Sequence, residues 1–169
     1  MADLQEFISS VDGYRKEIVV RLLDFSATDT ILYVRECISD EKRLRCLDSA
    51  IQLANTFLQT KFEEISELEV SGVNLAQREK LKVFLDKLDN ASLAVLFLVA
   101  TELKSVLLGV VFLYHAFSVQ DIFNLAFAEE LEEQNIWGKD EFITQRYSEI
   151  FDKLISWEKF CDERSLFKN

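Results

Sequence analysis

Residues 93–116 read LAVLFLVATELKSVLLGVVFLYHA, and where this apolar run is housed decides the fold. Wound as one helix at about 1.5 Å per residue, it is long enough to cross the roughly 30 Å hydrocarbon layer of a bilayer. Glu102 and Lys104 stand at its middle, however. Each such charge costs about 2.5 to 3.5 kcal/mol at mid-bilayer, which cancels several favourable leucines. The run is therefore expected to be the buried central helix of a bundle, with no membrane insertion. Its Thr101, Ser105 and Gly109 fall at i, i+4 and i+8, a narrow small-residue groove that lets another helix approach closely. A charged side chain inside such a helix usually answers a carboxylate, so Lys104 is expected to pair with Glu102 or Asp48.

The sequence on either side keeps helical spacing. From about Leu4 to Leu23 the apolar positions include Ile8, Val11, Ile18, Val19 and Leu22. Ser39, followed by Glu41 and Lys42, opens a second helix to about Lys61, with Leu44, Leu47, Ile51, Ala54 and Leu58 as its stripe. Asn74 can cap a third helix through Leu88, and Asn90 can cap the apolar one. Ser118 with Asp121 begins a helix reaching about Gln134. Gly138 breaks the chain, and Lys139-Asp140-Glu141 starts a last helix ending near Cys161, with Phe142, Tyr147, Ile150, Phe151, Leu154 and Trp157 facing a core. Between the first two helices, Asp29 to Val34 is β-branched, aromatic and short, so a strand is expected at about 29–35. A second short strand or extended stretch is expected at 64–71, before Gly72. The fold class is thus mostly α, a multi-helix bundle around a long buried apolar helix with one or two short β-strands.

Composition agrees with that class. At 169 residues the chain suits a single helical domain spanning 1–169. No proline and only four glycines leave little material for the turns of a many-stranded fold. The net charge of −11 repels a phosphate backbone and anionic lipid, so nucleic acid is not an expected partner. Cys37, Cys46 and Cys161 are odd in number and form no CxxC pair, which fits reduced thiols in a reducing compartment. The acidic start at Asp3 and Glu6 resembles neither a signal nor a transit peptide.

Catalytic chemistry has few footholds. His115 is the only histidine and stands at the end of the apolar run, where a helix C-terminus uses it as a cap more readily than as a catalytic base. Gly13, Gly72, Gly109 and Gly138 never cluster into a phosphate-cradling loop. Glu129, Glu130, Glu132 and Glu133 crowd one helix, but di-iron carboxylate sites need Glu-x-x-His pairs on two helices. No enzyme activity, cofactor, metal or small-molecule substrate is expected. An acidic run is by default a solvated face. At about 100° per residue, though, Val119, Ile122, Phe123 and Ala126 share a face on which Glu130 also falls, with Glu133 beside it. The stripe turns acidic just before Trp137 and Gly138, so either it has run past its own core or it lines a cleft where another protein docks, in which case Glu130 and Glu133 face the partner and Glu132 is left to solvent.

Four features in order resemble one family. They are the segment Thr28-Asp29-Thr30-Ile31-Leu32-Tyr33, Asp48 in the next helix, Leu103-Lys104-Ser105 in the apolar run, and the acidic turn ending in Trp137-Gly138. In this order and spacing, from about residue 10 to 160, the chain resembles the ATP synthase assembly factor two family. Those proteins are chaperones of the α subunit of the catalytic head. Val34 stands before Arg35 where the family usually has Arg directly after Tyr, and Leu47-Asp48-Ser49 replaces a common Trp-Asp-Pro. The match covers the family's helical C-terminal domain only; its N-terminal β-rich domain is expected to be absent, and Met1 favours a natural short form. The resemblance implies a chaperone, cytoplasmic in an alphaproteobacterium or placed in the mitochondrial matrix, that holds the unassembled α subunit and prevents its aggregation until it pairs with β. It also implies partner binding by Glu129, Glu130, Trp137 and Gly138, with Asp29, Asp48, Lys104 and Ser105 as structural support. Two rival classes are an unrelated helical adaptor that binds through the small-residue groove, and a small carboxylate-metal enzyme.

Overall fold

The computed structural model of the chain describes residues 2–65 and 74–168. Eight α-helices run through them: α1 (Ala2–Phe25), α2 (Glu41–Leu58), α3 (Leu75–Lys87), α4 (Asn90–Leu103), α5 (Val106–Leu113), α6 (Val119–Ala126), α7 (Ala128–Trp137) and α8 (Glu141–Glu163). No described helix is long and apolar enough to cross a membrane.

The apolar run is buried at the centre, but it is two helices and not one. Lys104 adopts φ 52° and ψ 35°, the left-handed conformation that ends a helix, and Ser105 caps the next through a bond from Leu108 N to its Oγ. The halves α4 and α5 fold back on each other, and every residue of α5 is buried. The expected groove of Thr101, Ser105 and Gly109 therefore does not exist as one face. Gly109 still permits a close approach, but inside the hairpin: a Cβ there would lie 3.2 Å from the Leu96 carbonyl oxygen and 3.3 Å from Leu96 Cγ. The ion-pair reading of Lys104 is also corrected. Its side chain is exposed, Glu102 pairs with Lys153 at 2.6 Å, and Asp48 pairs with Arg35.

Around the hairpin, α1 packs on α4 and α2 on α5, while α6 and α8 close the other side. The α1 stripe of Leu4, Val11, Ile18, Val19, Leu22 and Leu23 is buried as its spacing requires. Helix starts follow the local capping groups. Asn74 and Gln77 form a reciprocal capping box at α3, whereas α2 and α4 are capped by Asp40 and Asp89, one residue away from the expected Ser39 and Asn90.

The strand expected at 29–35 is not formed, and no strand occurs among the described residues. Three short 3₁₀ turns, Ser26–Thr28, Thr30–Leu32 and Arg35–Cys37, occupy the connection. The reason is local hydrogen bonding. Asp29 accepts the amide of Ile31 through its side chain and that of Leu32 through its carbonyl, and Tyr33 N donates to Thr30 O at 3.1 Å. Those turn bonds consume the groups a ladder would need, while Ile31, Leu32 and Val34 bury their β-favouring side chains in the core without a sheet. Of the second expected strand, residues 66–71 lie outside the described residues, as do Gly72 and Val73. Ile65 is not in a strand and donates its amide to Leu32 O at 2.8 Å.

Candidate functional site

Helices α6 and α7 are read from the sequence as one, but the backbone turns at Phe127, which has φ −111° and ψ 28°. Phe127 is buried, with its ring 4.9 Å from both Phe123 and Tyr147. Packing of that ring into the core redirects α7, which continues to Trp137 instead of stopping near Gln134. The helical phase that placed Glu130 on the Val119, Ile122, Phe123 and Ala126 face is therefore interrupted. The α7 backbone packs on α6 and on the 3₁₀ turn Arg35–Cys37, which leaves Glu130 lining the open space between α7 and α8.

The turn between these helices has a definite cause at each residue. Gly138 sits at φ 94° and ψ 167°, a conformation that side-chain-bearing residues rarely adopt, and its amide donates to Gln134 O at 2.9 Å. Asp140 then caps α8, accepting the amides of Phe142 at 2.8 Å and Ile143 at 3.2 Å. Between α7 and α8 lies an open cleft of about 450 Å³ lined by Glu130, Glu133, Gln134, Trp137, Ile143 and Tyr147, with Gly138, Lys139 and Asp140 at its end. Burial, followed by the negative charges of Glu130 and Glu133, raises the Tyr147 hydroxyl above its ordinary pKa. The Nε2 atom of Gln134 is shut off from solvent and has no acceptor among the described residues. Phe123 meets Tyr147 and Phe151 edge-on at 5.9 and 5.7 Å, so the Tyr147 ring of the lining belongs to an aromatic cluster.

Beside the carboxylates the surface is strongly apolar. Trp137 is 85% exposed, Phe142 78% and Ile136 66%. Phe142 was expected to face the core and does not: it begins α8 on the solvent side, next to the exposed indole's turn. Three large apolar side chains left in water around one turn are the mark of a contact surface. Glu129 and Glu133 are exposed, and Glu130 is half-buried in the cleft. Glu132, expected in solvent, is half-buried too, with Ser39 Oγ at 3.5 Å from its Oε1. Ile136, Gln134, Ile143 and Tyr147 were missed. Ile136 and Phe142 flanking a Gly-containing helix break are the signal that could have found the exposed pair.

The remaining candidate residues lie away from the cleft. Asp29 is fully buried and accepts Ser105 Oγ at 2.6 Å and the Leu107 amide at 2.9 Å. It thereby seats the 3₁₀ connection on the N-terminus of α5, and Thr30 adds bonds to Lys104 O from its amide (3.1 Å) and Oγ1 (2.9 Å). Burial raises the Asp29 carboxyl to about 6 against the opposing pull of those hydrogen bonds. Arg35 forks between Asp48 on α2 and Glu64, which holds its guanidinium above the ordinary range, the Glu64 hydrogen bond being the larger cause. His115, just past α5, stacks on Phe167 with ring centroids 4.2 Å apart and meets Glu158 at 3.0 Å. None of the cysteines is in a disulfide, and burial pushes the Cys161 thiol up to about 12. Among the described residues no three His, Cys, Asp or Glu side chains converge as metal ligands would.

No protein-family model and no curated protein matches the chain. Solved structures do. A point mutant of Atp12p from Paracoccus denitrificans superposes with a TM-score of 0.79 at 19% identity, covering 90% of this chain and 66% of that one. Atp12 from the same organism gives 0.77 at 20% identity with the same coverage. Atu1473 of Agrobacterium tumefaciens, a protein proposed to be a chaperone, gives 0.72 at 19%, covering 89% of this chain and 57% of that one. The chain thus has the fold of a part of the Atp12 structures.

Proposed function

We propose that this chain is an assembly chaperone that binds the unassembled α subunit of the ATP synthase catalytic head and prevents its aggregation until β takes its place. The observation that carries the reading is the shared fold with Atp12 over 90% of the chain, at a length about two thirds of those proteins. The α7–α8 turn supports it independently, because a cleft lined by Glu130, Glu133 and Trp137, with Ile136 and Phe142 exposed on the same turn, is suited to hold protein.

In this reading the exposed apolar side chains cover client surface that is later buried against β. Glu130 and Glu133 accept hydrogen bonds from basic side chains or backbone amides of the client. Charge at the rim sets selectivity and encounter rate, while the aromatic surface supplies affinity. Binding and release need no nucleotide. Glu129 adds to the field from an exposed position, and Gly138 holds the angle of the turn.

The test is binding of purified, unassembled α subunit to the wild-type chain and to Glu130→Lys, with helicity checked by circular dichroism. Binding by the wild type, suppressed light scattering from the client, and at least about tenfold weaker binding by the variant are expected. Unchanged affinity in Glu130→Lys removes the role of that residue, and absence of wild-type binding removes the proposed function.

A further inference from the structure

A second cleft lies between the start of α1 and the middle of α8, and nothing in the proposed chaperone site uses it. Its volume is about 550 Å³. Leu4 and Phe7 of α1, Leu98 of α4 and Trp157 of α8 supply apolar walls. Along α8 the lining residues Glu149, Asp152, Lys153, Ser156 and Trp157 recur at i, i+3, i+4, i+7 and i+8, the spacing by which a helix presents one face to another helix. No other element of the described chain fills that seam, so two helices frame a groove of the kind that accepts a third.

The charge around the groove specifies what enters it. Asp3, Glu149 and Asp152 are exposed on its rim. Among the described residues the one cation in the lining, Lys153, is already committed to Glu102 at 2.6 Å, and none there pairs with the three rim carboxylates. We infer that this groove is a docking site for a basic amphipathic helix of a partner protein, with an apolar side chain seated against Phe7, Leu98 and Trp157 and Lys or Arg side chains over Asp3, Glu149 and Asp152. The groove is distinct from the α7–α8 cleft. On α8 the two clefts take different residues, Ile143 and Tyr147 against Glu149, Asp152, Lys153, Ser156 and Trp157, which fall on different faces of that helix.

The chain's two tryptophans make the groove directly observable. The ¹⁵N–¹H indole signals of the intact chain are followed during titration with a synthetic helix of about five turns bearing leucine on one face and lysine on the other. Trp157→Phe assigns the signals. The expected result is a saturable shift of the Trp157 signal that is at least about tenfold weaker with the glutamate-for-lysine peptide and in the Glu149→Lys/Asp152→Lys variant. A control with the same change in net charge, Glu17→Lys/Glu79→Lys, keeps wild-type affinity. Both pairs of positions are exposed, so the fold is kept, as circular dichroism would confirm. A Trp157 signal that does not move overturns the inference. So does equal weakening in the control, because the peptide then reads only the net charge of −11. Either result leaves binding of the α subunit at the α7–α8 cleft untouched, so the two readings fail separately.

Discussion

Asp29 shows how one side chain settles a local structure that propensity misreads. Its neighbours Thr30, Ile31, Tyr33 and Val34 favour a strand, yet a short carboxylate able to bond its own amide two residues on, and two donors at the head of α5, stabilises turns instead. Its carboxyl titrates near 6 in the fold, above the ordinary value of 3.8. A raised carboxylate means that the folded state holds the proton more tightly than the unfolded state. The stabilisation is complete below the unfolded value and is lost as pH rises through about 6, opposite to a salt-bridged acid. A shift of this size corresponds to about 3 kcal/mol. Urea denaturation of wild type and Asp29→Asn from about pH 4 to pH 7 should therefore show the wild type losing about that much stability relative to the variant, which has nothing to titrate. A difference independent of pH would show that the buried carboxyl is not raised. The presence of an acid in this segment was legible in the sequence; its burial was not, because the partner donors lie 76 and 78 positions away.

Among the elements, the division of the apolar run into α4 and α5 matters most. The sequence places Lys104 inside a single helix, paired with Glu102 or Asp48, whereas it marks the place where the helix ends. A residue with φ 52° is strained if it carries a Cβ, and the bonds Lys104 makes are backbone ones, its amide donating to Ala100 O and its carbonyl accepting from Thr30. Lys104→Gly is accordingly expected to leave stability unchanged or raise it by up to about 1 kcal/mol. Thermal denaturation measures this, and a loss of more than about 1 kcal/mol would restore a structural role for the ammonium group. The same lesson applies at Phe127. Periodicity could follow the apolar face of α6 but not the turn, since α7 is redirected by a ring packed against Tyr147 from α8, with no capping residue to announce it.

For the whole molecule, the telling property is that a chain whose described residues bury forty-odd apolar side chains leaves Ile136, Trp137 and Phe142 in water at a single turn. Side chains that pack on nothing contribute little to folding, so Trp137→Ala should change unfolding free energy by less than about 0.5 kcal/mol. If the turn grips the client, the same variant should weaken α-subunit binding by about tenfold or more, as removal of an exposed aromatic anchor does. Calorimetric melting together with a binding titration checks both halves. A large fall in melting temperature would make Trp137 structural, and unchanged binding would remove it from the grip.

The sequence by itself determined the helical class, the single apolar centre, most helix starts and the acidic-aromatic character of the α7–α8 turn. These depend on composition, periodicity and capping groups within a few residues of one another. Only the tertiary structure decided that the central helix is a hairpin, that the expected strand is a set of 3₁₀ turns, that Phe142 faces water, and that Glu130 shares a cleft with Tyr147. Each of those rests on groups distant in the chain competing for the same hydrogen bond or the same packing space, and spacing along the sequence cannot show which of them prevails.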